Sequence, residues 1–113
     1  MTGRGRSGEP VEIRAFRGTR RSSVYRGHVV TEVDFRRIAS AARRRGLALL
    51  PTLESFGPRD LGKREARMLA AETTALRVSG ELPELDADLT EIAEVARWCA
   101  RASGKAWLRI EGP

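Results

Sequence analysis

Arginine is the residue type whose number and spacing could do most chemistry in this chain. At helical spacing, Arg36, Arg37, Ser40, Arg43 and Arg44 fall away from an apolar stripe of Phe35, Ile38 and Ala42, and Arg45 ends the run. Arg20 and Arg21 lie in a short polar connection, with Arg14, Arg17 and Arg26 in the extended segments beside it. A guanidinium donates through a planar fork that matches a carboxylate or a phosphate at two points, so a cluster of this kind suits an acidic protein surface or a nucleic-acid backbone. The simpler alternative is a solvated helix face with cations in its last turn, where the helix dipole favours them.

Other constellations are incomplete. Gly57-Pro58-Arg59-Asp60-Leu61-Gly62-Lys63 has phosphate-loop spacing, but Arg64 stands where Ser or Thr is needed, Pro58 offers no amide proton, and Asp60 places negative charge near the phosphate. A turn leading into a capped helix accounts for it better. His28 is the single histidine, and Glu32 lies across an expected strand–helix junction from it, so a general base without an orienting partner is expected to be structural. Cys99, the single cysteine, falls on an apolar helical stripe and reads as a small buried hydrophobe. It excludes an intramolecular disulfide and offers no metal spacing. Glu91 and Glu94 share a helix face with Arg97 and Arg101 close by. No catalytic residue, metal or cofactor is expected.

Periodicity gives the elements that would position these residues. Residues 11–17 alternate, with Val11, Ile13 and Ala15 on one face, and residues 23–30 form a second strand that pairs with them antiparallel across a connection at 18–22. Thr31 caps a helix over about 32–45 that stops at Gly46. Leu47–Leu53, broken by Pro51, is either an edge strand or a packed loop. Asp60 is expected to cap a second helix running to Ser79 before Gly80, with Ala66, Leu69, Ala70, Thr73 and Leu76 inside. A third helix starts at Asp86 or Asp88, buries Leu85, Leu89, Ile92, Ala96 and Cys99, and precedes a closing strand at 106–110. The expected fold is α+β: a small mixed or antiparallel sheet of three or four strands, covered on one face by three helices, in the order β-β-α-(β)-α-α-β. Residues 1–10 read as a flexible arm and 11–113 as one domain. The other sheet face would carry Glu12, Arg14, Phe16, Trp107, Arg109 and Glu111.

Charge is unevenly distributed. The first 50 residues hold twelve arginines against four acids, and residues 51–113 hold nine basic residues against eleven acidic ones. A GC-rich codon bias explains why arginine outnumbers lysine 19 to 2. It does not explain why residues 13–31 contain no acid. With no signal-peptide core and no long apolar run, a cytoplasmic location is expected.

The expected function is that of a small non-catalytic regulator, inhibitor or immunity-type protein. It would engage an acidic protein partner through Arg20, Arg21, Arg26, Arg36, Arg37, Arg43 and Arg44, with Trp107 as an aromatic anchor. The alternative is sequence-independent nucleic-acid binding, against which stand an aromatic content of 5% and the lack of a recognition-helix pattern. Homo-oligomerisation is open to a chain whose basic first helix could meet Glu81, Glu84, Asp86 and Asp88 of a second copy.

Overall fold

A computed structural model of the chain describes residues 9–18, 24–55 and 58–112. Strands β1 (Pro10–Arg17), β2 (Val24–Thr31), β3 (Arg59–Leu61) and β4 (Ala106–Glu111) form one sheet in the order β2-β1-β4-β3, with every neighbour antiparallel. Helices α1 (Glu32–Arg44), α2 (Lys63–Ser79) and α3 (Asp86–Arg101) complete an α+β fold, with short 3-10 turns at Leu50–Ser55 and Pro83–Leu85. Among the described residues, no helix is long and apolar enough to cross a membrane.

Alternation along β1 and β4 decides which face is buried. Ile13 pairs with Ile110 and Ala15 with Leu108, and these four, with Val11 and Ala106, are buried with the helix stripes. Phe35, Ile38 and Ala42 of α1, Leu69 and Leu76 of α2, and Leu89, Ile92 and Ala96 of α3 supply the other side of the core. Each such Leu or Ile withdrawn from water contributes roughly 1.5–3 kcal/mol. The opposite face carries Glu12, Arg14, Phe16, Trp107, Arg109 and Glu111, as the alternation predicts.

Helix ends follow local chemistry. The Thr31 hydroxyl accepts the Asp34 amide at 3.2 Å, and Gly46 (φ 73°) turns the chain out of α1. Gly80 (φ 71°) does the same for α2. Two open boundaries are decided and one is corrected. Residues 47–53 follow the packed-loop alternative, as a connection and a 3-10 turn, and the short edge strand is Arg59–Leu61. Asp60 therefore lies in β3 and does not cap α2. Gly62 takes that place, its amide donating to the Glu65 carboxylate at 3.3 Å. α3 begins at Asp86, one of the two expected starts, and ends at Arg101.

One buried carboxylate was not visible as a feature in the sequence. Glu72 is only 8% exposed on α2, and it accepts the consecutive amides of Ala48, Leu49 and Leu50 at 3.1, 2.9 and 2.8 Å. Hydrogen bonds to a charged acceptor are worth more than neutral ones, and three orphaned buried donors would be costly. We expect Glu72→Ala to destabilise the protein by about 2–4 kcal/mol and Glu72→Gln by roughly half as much, since the amide keeps one acceptor oxygen. Urea unfolding followed by circular dichroism would measure both.

Candidate functional site

The predicted arginine set divides into two places with different electrostatics. On α1, Val33, Arg36, Arg37, Ser40 and Arg44 line a groove of about 470 Å³ closed on one side by Leu82. The stripe arises because these positions follow helical spacing on the side away from Phe35 and Ile38. The groove looks basic in sequence but is closely compensated in space. Arg36 donates to Glu32 at 2.7 Å, Arg37 pairs with Glu84 and lies 3.7 Å from Asp34, and Arg44 pairs with Glu81. Arg45 lies 3.7 Å from the same Glu81 carboxylate. Arg43 is exposed in the last turn. The contact between the basic first helix and the acids at 81 and 84, expected between two copies, is made within one molecule.

The Glu81 carboxyl reports this compensation. The hydrogen bond from Arg44 holds it below the usual glutamate range, against a smaller opposing effect of desolvation and with the Arg44 and Arg45 charges adding to it.

The second place lies at the end of the sheet where the β1–β2 connection meets the C-terminus of α3. Arg17 donates to the Ser103 hydroxyl at 3.0 Å, and the Gly18 amide donates to the Lys105 carbonyl at 2.8 Å. Lys63 donates to the Ala102 carbonyl at 2.5 Å, a cation on the negative end of α3. Arg26 of β2 and Arg101 of α3 line a smaller cleft with Glu94, Trp98 and Ala102. Among the described residues, Arg17, Arg26, Arg101 and Lys105 make no ion pair with a carboxylate. Arg20 and Arg21 belong by sequence to the same connection but lie outside the described residues. Arg101 and Lys105 were not among the expected contact residues. Their signal was weak, because each looked like a helix-end cation or a turn residue when taken alone.

The remaining candidates fall into structural roles. Trp107 stacks on Phe16 with ring centroids 4.4 Å apart and planes at 20°, and the Arg14 guanidinium sits 6.0 Å above the Phe16 ring. Arg14 bridges Glu12 and Glu111 at 3.2 and 3.1 Å, and Arg109 pairs with Asp60 at 2.9 Å. The open sheet face is thus a paired lattice around a stacked aromatic couple. The Asp60 hydrogen bond raises the Arg109 pKa above its usual value.

His28 does have an orienting carboxylate, contrary to the sequence expectation. Its Nε2 lies 2.8 Å from Asp88 Oδ1 of α3, a partner 60 residues away that spacing alone could not supply. The pair ties edge strand β2 to the first turn of α3. Cys99 is fully buried, and desolvation pushes its thiol up against the weaker pull of Lys63, which keeps it protonated. The phosphate-loop spacing has no loop to occupy, since residues 59–61 are strand and Asp60 is held by Arg109. Gly57 lies outside the described residues. Among the described residues, no group of three His, Cys, Asp or Glu side chains could hold a metal ion.

Compared with protein-family models, curated proteins and solved structures, the chain matches none.

A depressed carboxylate stabilises the fold above its unfolded pKa, and that contribution disappears as pH falls through the folded value. Arg44→Gln should therefore lower stability at neutral pH relative to the parent, with the difference vanishing in the acid range below the usual glutamate pKa. The Glu81 side-chain carboxyl carbon, followed by NMR, should titrate higher in Arg44→Gln while remaining somewhat depressed by Arg45.

Proposed function

We propose that the chain is a non-catalytic binding protein, of the regulator, inhibitor or immunity type, that engages an acidic protein partner through the basic end around Arg17, Arg26, Arg101 and Lys105. One observation carries this reading: these four cations, brought from β1, β2, α3 and the turn after it, have no internal counter-ion among the described residues, whereas Arg36, Arg37, Arg44 and Arg45 of the first helix do. Uncompensated charge steers encounter with an oppositely charged surface, and paired charge does so weakly.

The α1 groove is the lesser contact. Its arginines are 42–60% exposed in their side chains, and ion pairs this exposed are easily exchanged. A partner carboxylate could replace Glu84 or Glu81 there at little net gain. Catalysis has few parts to draw on, with the one thiol buried and the one imidazole held by Asp88.

The experiment is affinity capture from native lysate by the full chain, with each captured protein then purified and titrated against variants. Arg26→Glu with Arg101→Glu should weaken binding to an acidic protein at least about tenfold. Arg36→Glu with Arg37→Glu should weaken it several-fold less. Equal losses from the two pairs would contradict the reading. So would a bound nucleic acid with a log–log salt slope of about −4 to −5, the signature of roughly five neutralised phosphates.

A further inference from the structure

We propose that the cleft between β2 and the C-terminal half of α3 is a carboxylate pocket, in which Arg26 and Arg101 clamp one acidic side chain against Trp98. This rests on the binding reading above and names the chemistry of its anchor.

Size decides what can enter. The cleft holds about 180 Å³. That is about six times the share of one liquid water, and well below the 300–1,000 Å³ typical of whole small-molecule ligands. It accommodates a side chain. Its walls set the charge. Arg26 faces the helices because it pairs in register with Ala15, whose side chain is buried in the core. Arg101 ends α3, where a cation is favoured by the helix dipole. Two guanidinium forks from separate elements can each donate to one carboxylate. Trp98 packs partly against the core and partly lines the cleft, offering an apolar wall to the methylene stem of a Glu or Asp. Tryptophan and arginine are the side chains most enriched among binding hot spots.

Glu94 narrows the choice further. It lines the same cleft and is paired with Arg97 at 3.2 Å. A negative group in the wall disfavours a phosphoryl dianion more than a carboxylate monoanion. The pocket therefore selects acidic side chains over phosphorylated ones. Arg17 at the end of β1 and Lys105 in the turn after α3 would contact neighbouring acids of the same segment.

The test is an NMR titration of the ¹⁵N-labelled full chain at low salt with acetyl-Glu-Glu-Glu-Glu-amide, and separately with the peptide carrying one phosphoserine in place of a glutamate. The two indoles serve as paired reporters. The Trp98 Nε1–H and the Ala102 amide should shift saturably, while the Trp107 Nε1–H stays in place. Arg26→Gln with Arg101→Gln should weaken this binding at least about tenfold, and the phosphoserine peptide should bind no more tightly than the all-glutamate one. Both replaced side chains are exposed, so the fold should persist. If amides around Arg17 and Lys105 shift while Trp98 does not, the pocket is overturned and the basic end still attracts acids. If nothing shifts, both readings fail. Tighter binding of the phosphoserine peptide by about tenfold would overturn the carboxylate assignment.

Discussion

The fold turns on the Glu72 carboxylate. After α1 the chain must leave the helix layer, cross to β3 and return as α2, and the 3-10 turn at 50–55 lies in that connection. The amides of Ala48, Leu49 and Leu50 point into the interior during this reversal, and a single α2 side chain satisfies all three. Buried backbone donors without partners cost as much as lost hydrogen bonds. The carboxylate therefore fixes where the end of α1 sits against α2. Leu49, Leu50 and Leu53 complete the seal, and all three are buried.

That placement has an electrostatic consequence. With the end of α1 held beside the second half of α2, Arg44 and Arg45 come next to Glu81 at the start of the α2–α3 connection, and Arg37 comes next to Glu84. Glu81 and Glu84 of the second half of the sequence are thus spent on Arg37, Arg44 and Arg45 at the first helix. The open sheet face is balanced in the same way, Arg14 by Glu12 and Glu111 and Arg109 by Asp60. Among the described residues, Arg17, Arg26, Arg101 and Lys105 are left without a carboxylate partner at the β2–α3 end, although Glu94 lines the cleft beside them. Under the proposed binding role, the contact surface is what internal pairing leaves over, so counting arginines does not locate it.

This explains which parts of the molecule were legible in sequence. Local signals were reliable. Alternation at 11–17 and 106–110 gave strands and their buried faces, Thr31 and Asp34 gave the start of α1, and Gly46 and Gly80 gave helix ends. Signals that depend on distant partners were not. Leu47–Leu53 read equally as a strand or a packed loop because it is apolar, and what decides for the loop is Glu72, which claims the amides of residues 48–50 and has no marker in the chain. Asp60 resembled a helix cap, yet Arg109 across the β3–β4 pair holds it. His28 seemed to lack a carboxylate until the fold brought Asp88 to it. The arginine face on α1 was correctly placed away from the core, and its neutralisation depends on residues about forty positions later. Arg26 lines a cleft with Arg101 and Trp98, a juxtaposition that sequence spacing could not supply because β2 and α3 are far apart in the chain.

The central claim is that surplus positive potential sits at the β2–α3 end and not on the first helix. Near-surface potential can be measured residue by residue from solvent paramagnetic relaxation by a cationic and an anionic cosolute. The anionic probe should be enriched over the cationic one at the amides of Arg17, Arg26, Arg101 and Lys105, with nearly equal effects at Arg36, Arg37 and Arg44. Enrichment along α1 equal to or greater than that at the β2–α3 end would contradict the account.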